Sequence, residues 1–335
     1  MFTAWQNHLA TLNIDDKPQT LLPQVICPLT QYRFIRITGP DAGKFLQGQL
    51  SCDIQQLTSS TSGLGSHNNA KGRMLSSFRI CLLGEGDYLL RVHRSIAETA
   101  RSALAKYIVF SKANIDLPDD YIALGLHGEQ AQQNLQKHFP DITDQQYRQS
   151  LCDSMVLICT SARFKAFELY GKVDKVLALW PDISQQLTVT DCKQQQLIEH
   201  HEGLAFVEQE TAQSLIPQMF NYQALPAISF QKGCYTGQEI VARMQYLGKL
   251  KRHLLHCTAN TDKTVNTGDE LFLDRQQQSV GIVAACTAVS DHQVDLLLVL
   301  THEASSADRL YSHEATLSSL KQLPLPYSLE KKAKA

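Results

Sequence analysis

Between residues 32 and 107 the apolar and polar positions follow a recognisable order. Tyr32-Arg33-Phe34-Ile35-Arg36-Ile37-Thr38 is rich in β-formers and predicts a strand. Gly39-Pro40-Asp41 breaks it and offers a helix start, with Phe45, Leu46 and Leu50 at helical spacing behind. A Ser/Gly-rich loop is expected over 59–69, then strands over 76–83 and 88–93 joined by a turn at 84–87. Ile96, Ala100, Ala103 and Tyr107 mark the apolar face of a helix over 94–107.

The same order then recurs: a strand at 121–126, a helix at 129–138, strands at 154–160 and 166–169, and a helix at 173–180. The fold class this predicts is α+β, with two split-βαβ, ferredoxin-like units. After Leu250 the texture changes to short strands at 252–258, 270–273, 280–287 and 294–300, separated by turns such as Asn266-Thr267-Gly268-Asp269. Short strands with little helix predict a C-terminal β-barrel. The expected units are 1–118, 119–243 and 244–335, the last ending in a proline-extended tail over 323–327. Lys331, Lys332 and Lys334 are expected to form a disordered basic tip.

Composition narrows the function classes. The chain has 335 residues, 31 basic and 33 acidic, for a net charge of -2, which argues against a protein that coats nucleic acid. Its longest aliphatic run, 294–300, falls far short of the roughly 20 apolar residues of a membrane span. No basic stretch followed by an apolar one opens the chain, so no secretory signal is expected. The nine cysteines are scattered without a C-x-x-C pair, which fits a reducing cytoplasm and no metal site. Most lie in apolar runs and read as small core residues.

The most unusual stretch is Lys232-Gly233-Cys234-Tyr235-Thr236-Gly237-Gln238-Glu239, continued to Arg243. Gly233 and Gly237 allow tight turning or close approach of a ligand. Lys232 is placed to favour the thiolate of Cys234. Gln238 and Glu239 suit a nitrogen-rich heterocycle with donors and acceptors. A glycine-rich turn opening a helix explains the same residues structurally. Arg91, Arg94, Arg101, Lys106 and Lys112 form one locally basic segment. Lys232, Arg243, Lys249, Lys251 and Arg252 form another. Either suits phosphate, a polyanionic cofactor tail or RNA, and a solvated charged face accounts for either alone. Read without interleaved stacking aromatics, they do not establish RNA contact. His200-His201 and the 253–256 pair lack metalloprotease spacing, and there is no G-x-S-x-G elbow or P-loop.

The 232–239 stretch resembles the signature of the YgfZ family, folate-binding tRNA-modifying proteins related to the aminomethyltransferase (T-protein) of the glycine cleavage system. Supporting segments follow in order: Phe45-Leu46-Gln47-Gly48-Gln49-Leu50, Ala70-Lys71-Gly72-Arg73-Met74, Lys106-Tyr107-Ile108-Val109-Phe110-Ser111-Lys112, Ile216-Pro217-Gln218 with Asn221, and Leu325-Pro326-Tyr327-Ser328-Leu329-Glu330. The resemblance implies a three-domain cloverleaf around a central channel that binds tetrahydrofolate or a one-carbon derivative. It implies a cytoplasmic protein that supports iron–sulfur enzymes, among them the radical enzyme that methylthiolates tRNA. Tyr32 and Gln195 stand where bacterial members often carry folate-site tryptophans. Glu202 is the carboxylate nearest the place of the family's pterin-holding glutamate, displaced by one position. With Tyr235, these are the folate-lining candidates. The T-protein's catalytic aspartate pair has no counterpart over 72–78, so the chain reads as an accessory protein, by default monomeric, with Cys234 as reactive centre. The alternatives are a tetrahydrofolate-dependent one-carbon transferase on an unknown acceptor and a binding-only scaffold.

Overall fold

The computed structural model describes residues 2–17, 20–274 and 278–329; the expected basic tip lies outside them. Three sheets organise the chain. The first is antiparallel and five-stranded, in the order Gly63–Asn68, Met74–Gly84, Asp87–His93, Tyr32–Thr38 and Asn114–Asp116. Strand alternation divides its side chains cleanly. Ile35, Ile37, Phe78, Ile80, Leu90 and Val92 point to a core shared with helices Ala42–Gln49 and Ala97–Ile108. Tyr32, Phe34, Cys81 and Leu89 point the other way, toward the second sheet.

The second sheet has six strands: Thr188–Val189, Val25–Pro28, Tyr121–His127, Ala166–Lys172, Met155–Ser161 and Gln149–Cys152. Its outer face, with Leu124, Leu157, Phe167 and Leu169, packs under helices Glu129–Gln136 and Val173–Ile183 and under Trp5 of helix Phe2–Thr11. Its inner face, with Ala123, Val156, Ile158 and Tyr170, meets the first sheet. One strand from the expected 1–118 unit also belongs to this sheet. Val25–Pro28 crosses over to pair antiparallel with Tyr121–His127 and parallel with Thr188–Val189, since a four-residue apolar strand is buried on both faces there.

The third sheet runs Glu270–Leu271, Gly281–Ser290, Gln293–Thr301, Arg252–Thr261, Thr316–Leu323 and Leu310–Tyr311. Phe272 and Tyr311 exchange backbone hydrogen bonds of 2.8 and 2.9 Å, joining its two outer strands so that the sheet curls into a barrel. Leu255, Val283, Leu296, Leu298 and Leu317 fill the inside. The sequence-based expectation missed the last two strands because Thr316–Leu323 carries few apolar residues. It also took residues 63–68 for loop. They form a fully buried strand, and small size is required at its centre: a Cβ on Gly65 would lie 2.7 Å from the Cys52 sulfur and 2.8 Å from the Phe78 ring.

Helix Lys193–His201 joins the parts. It contacts the second sheet and the barrel, and His200 Nδ1 lies 2.8 Å from Asp295 Oδ1 on a barrel strand, which His256 also reaches at 2.9 Å. The tail is tied back as well: the Tyr327 hydroxyl donates to the Gly203 carbonyl at 2.7 Å.

Candidate functional site

The loop at 232–237 is held at three points. Its lysine points inward: Lys232 is 9% exposed, and its ammonium donates 2.8 Å bonds to the carbonyls of Leu50 and Cys52. Burial pulls that ammonium down to about 8, while the neighbouring Cys52 and Asp53 act to hold it up. Lys232 is thus an anchor to the end of helix Ala42–Gln49, and the expected free basic patch at 232–252 loses its first member. Thr236 N–H donates to the Gly48 carbonyl at 3.3 Å. Gly237 makes the third contact, in a left-handed conformation (φ +81°) at the start of helix Gln238–Tyr246. A Cβ there would lie 2.4 Å from the Asn69 carbonyl oxygen and 3.1 Å from the Gly72 Cα. The turn Asn69–Gly72 and the motif therefore touch backbone to backbone, as only glycine permits.

The remaining motif residues divide into packing and exposed groups. Tyr235 is buried, with the Lys232 ammonium 5.2 Å from its ring centroid, and burial pushes its hydroxyl above the usual phenol range. The Gln238 side chain accepts the Tyr235 N–H at 3.3 Å, closing the turn. Glu239 and Arg243 lie exposed on the helix. Gly233 has open space where a Cβ would stand, so its backbone is not sterically restricted to glycine.

Of the nine cysteines, Cys234 alone is exposed. With Gly233 it borders a cleft of about 370 Å³ whose other walls are Gly43, Lys44, Gln47, Gly48 and Ile54, with Gln55 and Tyr88. Its thiol therefore stands at a concave surface that an exposed lysine, Lys44, shares.

The folate-lining candidates do not converge. Tyr32 and Gln195 do meet, in a buried ionic cluster between the two sheets. Tyr32 is 7% exposed, and the Arg91 guanidinium lies 3.6 Å from its ring centroid, covering one face. Its hydroxyl donates to Glu199 at 2.7 Å. Arg91 bonds Glu199 at 3.1 Å and pairs with Glu168 at 3.0 Å; Arg79 lies 3.6 Å from Glu168. Gln195 Nε2 donates to Glu168 at 3.1 Å, and the Tyr170 hydroxyl bonds the same carboxylate. Glu202 stands apart, accepting from Ser161 at 2.6 Å and Gln146 at 2.9 Å. Tyr235 lies in the Cys234 loop. A pterin needs an aromatic face and a free carboxylate for its donor edge. Here the face is under Arg91 and both central carboxylates are engaged, so these residues as arranged do not fit a folate. A cavity of about 750 Å³ touches Tyr32 from elsewhere, but its one carboxylate, Asp119, is held by Arg33 at 2.9 Å.

Sequence reasoning placed Arg91 in a basic surface patch; it is 0% exposed, because its strand has the second sheet over its polar-looking face. Glu168 and Glu199 were missed. The available signal for Glu168 was a charged residue in phase with apolar ones, since it shares its strand face with Ala166 and Tyr170; Glu199 lies one helical turn from Gln195. Burial pushes the Glu199 carboxyl up to about 7, against the pull of Arg91. A carboxyl titrating at about 7 when folded and 4.5 when unfolded stabilises the fold fully below 4.5, and that contribution is lost as pH rises through 7. Glu199→Gln should therefore gain stability relative to the parent chain as pH is raised from 4.5 to above 7, read as the urea midpoint. A difference that does not change with pH would contradict this.

Comparison with known proteins gives two results. A tRNA-modifying protein YgfZ of Yersinia pestis (strain Pestoides F) is 31% identical over 310 residues, 92% of this chain and 94% of the relative. The protein of the same description from Yersinia enterocolitica is 32% identical over the same shares. Among solved structures, glycine cleavage system aminomethyltransferase T from Bartonella henselae superposes with a TM-score of 0.66 at 15% identity, covering 90% of this chain and 86% of that one, which shows a shared fold. No protein-family model matches the chain.

Proposed function

The chain belongs to the YgfZ family of tRNA-modifying proteins, and from that premise we propose that it sustains iron–sulfur enzymes of tRNA modification through the thiol of Cys234. The observation that carries this reading is the exposure of that one cysteine, on a loop held at Lys232, Thr236 and Gly237, at the mouth of a cleft. A thiol kept for packing has no need of such mounting; a reacting or ligating sulfur must be reachable and fixed. Lys232 positions the loop from beneath, and Lys44 supplies a positive charge beside the cleft. Aminomethyl transfer is not part of the reading, because no carboxylate lies over residues 72–78 and the two carboxylates of the cluster between the sheets, Glu168 and Glu199, are tied to Arg91. The reading uses no folate at Tyr32 and Gln195.

The test is complementation of a deletion strain. Cys234→Ala should accumulate to the parent level, since the side chain is exposed, yet leave methylthiolated tRNA at the level of the deletion. Restoration to the parent level would remove Cys234 from the function.

A further inference from the structure

Two exposed ring-bearing projections extend from the elements that form the Cys234 cleft and loop; the ring of the second, Tyr246, also packs edge-to-face with Phe230 at 6.1 Å. The first follows helix Ala97–Ile108. Phe110 is 94% exposed, Val109 71% and Tyr107 50%. The projection is mounted: Ser111 N–H donates to the Ile108 carbonyl at 2.8 Å, and Lys112 N–H to Asp41 Oδ2 at 2.8 Å. Asp41 also opens helix Ala42–Gln49, whose Gly43, Lys44, Gln47 and Gly48 wall the cleft. That helix has eight residues, so the Phe110 loop and the cleft are separated along it by about 12 Å at most. The second projection ends helix Gln238–Tyr246, which starts at the Cys234 loop; Tyr246 is 59% exposed and Leu247 84%.

Cations surround both. Lys44, Lys106 and Lys112 are exposed about the first, and Arg243, Lys249 and Lys251 about the second. None of these six is in an ion pair among the described residues. Exposed rings among unpaired cations are the elements with which proteins hold unpaired bases and their phosphates. A protein partner would be served better by one contiguous apolar patch free of charge, and here the two ring-bearing tips are separate and each stands among exposed cations.

We infer that this face binds single-stranded RNA, with one base stacked on Phe110, a second on Tyr246, and the intervening nucleotides passing the Cys234 cleft. The inference rests on the tRNA-modification reading and names the partner of the same site. Its test is separate, because it measures RNA binding and leaves Cys234 intact. Fluorescence anisotropy of the full chain with a labelled anticodon-loop-sized RNA hairpin should show salt-dependent binding. Phe110→Ala should weaken it roughly five- to hundredfold without changing the salt dependence or the melting temperature. Lys106→Gln should instead lower the slope of log affinity against log salt by about 0.7–1. Absence of binding by the parent chain, or parent affinity in Phe110→Ala, would overturn the inference. So would loss of a protein partner in Phe110→Ala with RNA binding untouched. Any of these outcomes could occur with the Cys234 complementation result unchanged, so the two readings fail separately.

Discussion

Replacing Arg91 by methionine should cost the fold about 3–5 kcal/mol, the range for breaking one partner out of a buried ion pair. Arg91 is fully buried, faces Glu168 at 3.0 Å and Glu199 at 3.1 Å, and is sandwiched between the rings of Tyr32 and Phe206 at 3.6 and 4.3 Å. Methionine keeps much of the aliphatic volume but leaves two carboxylates facing each other with only Arg79 to offset them. The loss should appear as a lower urea midpoint. Adding Glu199→Gln should recover a large part of it, because the second change removes the carboxylate whose ionic partner was Arg91 and leaves Glu168 with Arg79. Strict additivity of the two effects would mean that the pair does not act as a unit.

The second large effect is expected at Gly237. Valine there would adopt a left-handed backbone conformation that costs a residue with a Cβ about 1–2 kcal/mol, and its Cβ would overlap the Asn69 carbonyl oxygen at 2.4 Å. Because that oxygen is backbone, the loop must move away from the first sheet. Gly237→Val should therefore both lower stability and change the alkylation rate of Cys234. Gly233→Ala is the matched control, with open space around it, and should leave both unchanged. Equal behaviour of the two variants would mean that the Gly237–Gly72 contact does not set the loop.

Much of this architecture was legible from the chain alone. Runs of β-formers and the turn at 84–87 located the strands around Tyr32–Thr38 and Asp87–His93, and the short strands and turns after Leu250 announced the barrel. The 232–239 motif was found because two glycines around a cysteine are uncommon local chemistry. What escaped the reading was set by distant partners. Arg91 and Glu199 are 108 residues apart, and nothing local distinguishes a strand arginine bound for water from one bound for a carboxylate on another unit. Lys232 was misjudged for the same reason: its two acceptors are carbonyls about helix Ala42–Gln49, 182 and 180 residues away. Glu202 was chosen by its spacing to Gly203, whereas the helix turns Glu199 inward and leaves Glu202 capping against Ser161. The exposed ring of Phe110 sat in a segment read for its charges and its family resemblance, and not for stacking.

The most direct measurement is made in vitro. A purified tRNA-methylthiolating iron–sulfur enzyme is run through multiple turnovers with this protein added, either native or carbamidomethylated at Cys234, which its exposure makes selectively accessible. The native protein should raise the number of turnovers each enzyme completes, and the alkylated protein should not. Equal support from the alkylated protein, or none from the native one, would contradict the assignment of function to the Cys234 thiol.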